Sequence, residues 1–129
     1  MLAKGTFEVQ MHAEPPYSTE DGVSIGRVKV EKQFTGDLIG ASEVHMLAAR
    51  GPVATSAGYV AIERVSATLE GKTGTFVLQH SGTVDRGAGT LTVTVVPDTG
   101  TGGLTGLRGA MAIEIVDKQH RYTFDYRFE

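Results

Sequence analysis

Apolar and polar residues alternate one by one along most of the chain, and no helical period outlasts a single turn. In 6–13 the apolar positions are Phe7, Val9, Met11 and Ala13, with Glu8, Gln10 and His12 between them. The stretch Pro15-Pro16-Tyr17-Ser18 to Asp21-Gly22 has the composition of a loop. Residues 25–34 then set Val28, Val30 and Phe34 against Arg27, Lys29, Glu31 and Gln33, and Thr35-Gly36-Asp37 turns the chain. In 38–49 the better inner face is Ser42, Val44, Met46 and Ala48, which leaves Glu43 and His45 outside. Gly51-Pro52 ends that strand. Residues 90–96 alternate Leu91, Val93 and Val95 with Thr92 and Thr94, after a link at Asp85-Arg86-Gly87.

Two hairpins can be registered by arithmetic. With Gly71-Lys72 as a two-residue turn of type II′, Glu70 opposes Thr73, Ala67 opposes Phe76, Val65 opposes Leu78 and Glu63 opposes His80. With Lys118-Gln119 at the second tip, Ile115 opposes Tyr122, Ile113 opposes Phe124 and Met111 opposes Tyr126. That tip fits poorly, because neither residue favours positive φ. The pattern therefore predicts one all-β domain over 1–129: eight antiparallel strands joined mostly by short connections. Consecutive hairpins imply an up-and-down sheet, and eight strands suffice to close it into a barrel, lipocalin-like in outline, with no exposed edge. A sandwich of two four-stranded sheets satisfies the same alternation.

Four segments carry a resemblance: FTGDLIGAS at 34–42, SAGYVAIERV at 56–65, GTFVLQHSGT at 74–83 and VVPDTGTGGLTGLRG at 95–109. Together they resemble a bacterial family of uncharacterised proteins with an allene-oxide-cyclase-like β-barrel. The resemblance implies a small eight-stranded barrel, often oligomeric, whose interior can hold a ligand. It implies no activity, since the cyclase label describes a fold. The chain departs from the family pattern at Gly103, where an acidic residue is usual, and at Asp117-Lys118, where Asp-Gly is usual.

Composition narrows the partners. The formal charge of −3 comes from 12 basic and 15 acidic residues spread along the chain, with no basic stripe to collect phosphates. Nucleic acid and membrane are therefore not expected as partners. No stretch has the length or apolarity of a bilayer span or of a signal peptide, so a cytoplasmic protein is expected. Without cysteine there is no disulfide, thiolate metal site or thiol nucleophile.

The candidate chemistry lies on the central hairpin. Arg64, Ser66, Thr68 and Glu70 claim one face of its first strand, so Glu63 falls on the other with Val65, Ala67 and Leu69. In the second strand Thr75, Gln79, Ser81 and Thr83 share a face, which puts His80 beside Phe76 and Leu78. A carboxylate and an imidazole on a buried surface are costly unless they satisfy each other or meet a ligand. As an acid/base pair they can move a proton on a carbonyl, epoxide or enol, with burial expected to raise the Glu63 pKa. As a structural pair they only fix the fold.

Tyr59 and Ser42 are the nearest candidate ligand-binding hydroxyls, while Tyr122, Tyr126 and Met111 are expected to wall the same lumen. No metal site is expected, because His12, His45 and His120 fall on outer faces or in a turn, leaving His80 and Glu63 short of the three ligands of a catalytic zinc. No cofactor is implied either. The glycine-rich run 98–106 has no Gly-Lys-Ser/Thr ending and no helix after it, so it is expected to be a rim loop of the kind that acts as a lid. Outward-facing Val60, Ile62 and Val77 suggest a subunit contact, and a symmetric dimer is the simplest form.

The leading expectation is a barrel that binds an apolar small molecule with a polar end, with isomerase- or cyclase-type acid/base activity at Glu63 and His80. The alternative is a non-catalytic structural or interaction protein with a filled barrel.

Overall fold

A computed structural model describes residues 1–129. Eight strands follow the chain: β1 (Leu2–Ala13), β2 (Ser24–Gly36), β3 (Leu38–Arg50), β4 (Ala57–Leu69), β5 (Lys72–Asp85), β6 (Ala88–Val95), β7 (Leu107–Val116) and β8 (Gln119–Phe128). Each pairs antiparallel with its neighbours in sequence, and β8 pairs with β1, so the sheet closes into an up-and-down barrel. The sandwich alternative is thereby excluded. No helix is long and apolar enough to cross a membrane; the only helical pieces are turns at Glu20–Gly22 and Gly102–Leu104.

Both registered hairpins are displaced by two residues from the sequence expectation. In β4–β5 the turn residues are Glu70 and Gly71, with φ of 46° and 89°, and Leu69 faces Lys72. In β7–β8 they are Asp117 and Lys118, with φ of 51° and 65°, and Val116 faces Gln119. Two consecutive positive φ values give the turn a twist that matches its strands, and this preference outweighs the reluctance of Glu70 and Lys118 to adopt it. Glu63 therefore faces Leu78 and His80 faces Ala61, while Met111 faces Phe124 and Ile113 faces Tyr122. A shift of two residues leaves every side chain on its expected face.

The interior is packed at one end and hollow at the other. Leu38, Leu69, Phe76, Leu107, Phe124 and Tyr126 fill the end that holds the β2–β3, β4–β5 and β6–β7 connections. Phe124 stacks between Phe76 and Tyr126, at centroid distances of 5.9 and 5.5 Å. The glycine-rich segment belongs to this filled end. It inserts Leu104, wholly buried, into the core, and it bonds to β5 through Thr101 N–H to Thr75 O (2.9 Å) and Val77 N–H to Thr99 Oγ1 (3.1 Å). The lid expectation is corrected accordingly: this loop is a plug. It also supports the weakest seam of the barrel, where β6 and β7 register only through Thr94 and Ala110.

Candidate functional site

Midway along the barrel, the apolar filling gives way to a layer of four inward polar residues. Lys32 comes from β2, Ser42 from β3, Glu63 from β4 and His80 from β5, and all four are buried. Glu63 is the hub, with no exposed surface. Its Oε1 accepts from the Lys32 ammonium (3.1 Å) and from His80 Nε2 (2.6 Å), while Oε2 accepts from Ser42 Oγ (2.5 Å). Diagonal placement across the β4–β5 ladder, with no direct facing, is enough to bring the imidazole to the carboxylate.

Charge assignment follows from these partners. Burial pushes the Glu63 carboxyl up, but the His80 hydrogen bond, the Lys32 charge and the Ser42 hydroxyl together outweigh it and hold the group below the usual carboxylate range. The expected upward shift is therefore reversed in sign. Because Glu63 is ionised and can only accept, His80 Nε2 carries the proton in that bond. In the neutral imidazole the lone pair is then on Nδ1, the ring nitrogen that Glu63 leaves free. Lys32 is held from its other side by the Phe7 ring, 4.6 Å from nitrogen to centroid, a cation–π contact.

Above this layer lies a cavity of about 280 Å³, open at the barrel end opposite the plug. Lys32 and His80 form its polar floor, and Glu63 and Ser42 sit behind them. The walls include Val9, Val30, Val44, Met46, Tyr59 and Ile113, with Met11, Leu91 and Ile115 at the exposed rim. Tyr59 lies flat over Gly82, its registered partner: a Cβ at Gly82 would stand 2.7 Å from the ring. That close approach is available only to glycine. Burial raises the Tyr59 phenol above its ordinary value, so it enters the cavity as a neutral hydroxyl.

The remaining expected residues share the inner face but stand at other heights. Tyr122 accepts from the Leu38 amide (2.9 Å) and donates to Thr35 O (2.8 Å), tying β8 to the β2–β3 turn. Tyr126 donates to Glu70 Oε1 (2.8 Å) at the plugged end, where burial and then that carboxylate push its phenol up to about 12. Met111 is buried in the packed core. None of the three lines the cavity.

Two residues were missed by the sequence reading. Lys32 has the parity of Val28, Val30 and Phe34, which would have placed it inside despite its charge. His120 does not face outward: it shares the parity of Tyr122 and lines the cavity, its ring 5.1 Å from that of Phe7. By contrast His12 and His45 are exposed, against Glu31 (3.5 Å) and Glu43 (3.4 Å). No group of three His, Asp or Glu side chains converges as metal ligands would.

Residues 3–126 match the model of a family described as protein of unknown function (DUF3224). The fold and sequence are also similar to a crystal structure from Shewanella oneidensis MR-1, described as a protein with unknown function from that family. The two agree with a TM-score of 0.94 at 45% identity, over 100% of this chain and 98% of the other. No curated protein matches.

Proposed function

The chain belongs to the DUF3224 family, whose function is unknown, and from the geometry of its barrel we propose that it binds an apolar small molecule in the open half and performs acid/base chemistry on that molecule's polar end. One observation carries the reading: an apolar cavity of about 280 Å³ ends on a cation and an imidazole that share a single buried carboxylate. At ~30 Å³ per water, that space equals roughly nine waters, well above what a filled barrel leaves between side chains. It suits a ligand of about a dozen non-hydrogen atoms, near the small end of ligand sites.

The catalytic groups are His80 as base and acid and Lys32 as the charge at the polar end, while Glu63 is the carboxylate that positions the imidazole. A His–carboxylate pair in which the carboxylate fixes the tautomer is a recurrent device for proton transfer. Ser42 holds the second oxygen of Glu63 and so fixes its rotation.

Titration with the fluorophore 1-aminoanthracene tests the binding. We expect saturable enhancement with the wild type, weakened about tenfold or more in Leu91→Trp, which fills the rim with an indole. The absence of saturable enhancement would remove the reading.

A further inference from the structure

The charge balance of the cavity floor restricts what it can receive. Ionised Glu63 and the Lys32 ammonium cancel, and an imidazole whose Nδ1 lone pair serves as a base brings no charge of its own, so in its proton-accepting form the floor is electrically balanced before any ligand arrives. A carboxylate head would bring an uncompensated negative charge into an apolar lumen, and an ammonium head would meet Lys32. Either costs more in this setting than in water. An uncharged acceptor is the head group that suits what the floor leaves free. Lys32 spends one of its three N–H donors on Glu63, and His80 offers only a lone pair. Lys32 Nζ and His80 Nε2 touch the same carboxylate oxygen, at 3.1 and 2.6 Å, and both side chains line the cavity, so the polar end of one ligand lies beside both residues.

We propose that the open half of the barrel takes an uncharged aliphatic ketone and that Lys32 and His80 interconvert it with its enolate by proton transfer at the α-carbon. The inference rests on the binding reading above and names its substrate class. In the forward step the His80 Nδ1 lone pair takes the α-proton, so a C–H bond breaks and an N–H bond forms. The C–H electron pair becomes the C=C bond, and the carbonyl π pair moves to oxygen. The negative oxygen is met by the Lys32 N–H, and the imidazolium is held by Glu63. Net charge in the cavity does not change. Returning the proton regenerates the ketone, and no oxidant or second reactant is consumed. Opposite charges thus develop beside two fixed partners of opposite sign, which is the arrangement that stabilises such a transition state. Ser42 and Glu63 are positioning residues, since neither lines the cavity.

The test follows 2-octanone in deuterated buffer by proton NMR, reading loss of the α-proton signals, with saturation-transfer difference spectra reporting binding in the same tube. Wild-type protein is expected to bind the ketone and to exchange its α-protons faster than buffer alone. At saturating ketone, His80→Gln and Lys32→Met should each slow the bound-state exchange about 100-fold or more, with binding changed only a few-fold. Lys32→Arg keeps the cation and its pairing to Glu63, so it is expected to retain part of the exchange should Lys32→Met fail to fold. A ketone that binds but exchanges no faster than in buffer overturns the keto–enol inference and leaves the binding reading standing. A ketone that does not bind, beside saturable 1-aminoanthracene, overturns the substrate class. Octylamine or octanoate binding as tightly as the ketone overturns the charge argument. Exchange unchanged in both Lys32 variants removes Lys32 from the chemistry.

Discussion

Glu63 concentrates the energetic risk of this molecule in one side chain. It is fully buried and charged, and it depends on three donors from three other strands. Removing its charge leaves Lys32 without its anion, and loss of one partner of a buried pair costs about 3 kcal/mol or more. Glu63→Gln is therefore expected to lower stability by about that amount at pH 7 in urea denaturation. The pH dependence has a definite sign. Folding lowers the Glu63 pKa from the ordinary 4.5, so its stabilisation is complete above that value and is lost as pH falls through the folded one. The stability gap between wild type and Glu63→Gln should shrink when measured at progressively lower pH below 4.5. A gap that stays constant down to acid unfolding would contradict this account. At this scale parity made Glu63, His80, Ser42 and Tyr59 legible as inward residues. Lys32 escaped because a lysine inside a barrel contradicts composition, and only its period-two neighbours reveal it. Parity also gave no height along the barrel, which is why Tyr122, Tyr126 and Met111 could not be separated from the cavity wall.

The hairpins were legible as elements, but their tips were not. Gly71 suggests a type II′ turn when it is placed first, yet it serves as the second residue of a turn whose first residue, Glu70, takes φ of 46°. At the other tip Lys118 takes φ of 65°, at a position where such a turn favours glycine, as in Asp-Gly. A side chain there carries a strain of about 1–2 kcal/mol, partly offset in glycine by the greater entropy of its unfolded chain. Lys118→Gly is thus expected to raise stability by about 0.5–1 kcal/mol in the same urea assay, without affecting the cavity. Destabilisation would argue against the observed register. The glycine-rich run shows the complementary failure. Its composition marks it as loop, but only tertiary contacts from Leu104, Thr99 and Thr101 decide that it fills an end of the barrel.

As a whole molecule the barrel divides its labour. The plugged half carries the aromatic core and the N-terminal amine, which donates to Tyr126 O at 2.8 Å, and the open half leaves room. Eight strands stand at the size where both outcomes are available, and here both occur in one lumen. On the outer wall Leu47 and Val60 are registered partners beside exposed Ile62, which keeps the sequence expectation of a two-fold contact open to test. Sedimentation is expected to show a dimer that Ile62→Lys converts to monomer; a monomeric wild type would reject the contact. The four methionines report on the two halves. Met11 and Met46 line the cavity, Met111 is packed in the core, and Met1 is exposed at the plugged end. Carbon-13 labelling of their methyl groups, followed by NMR titration with 2-octanone, addresses the division directly. Saturable shifts of the Met11 and Met46 methyls, with Met1 and Met111 unmoved, are the predicted result. The absence of a saturable shift at Met11 and Met46, or equal movement at Met111, would contradict a ligand site in the open half.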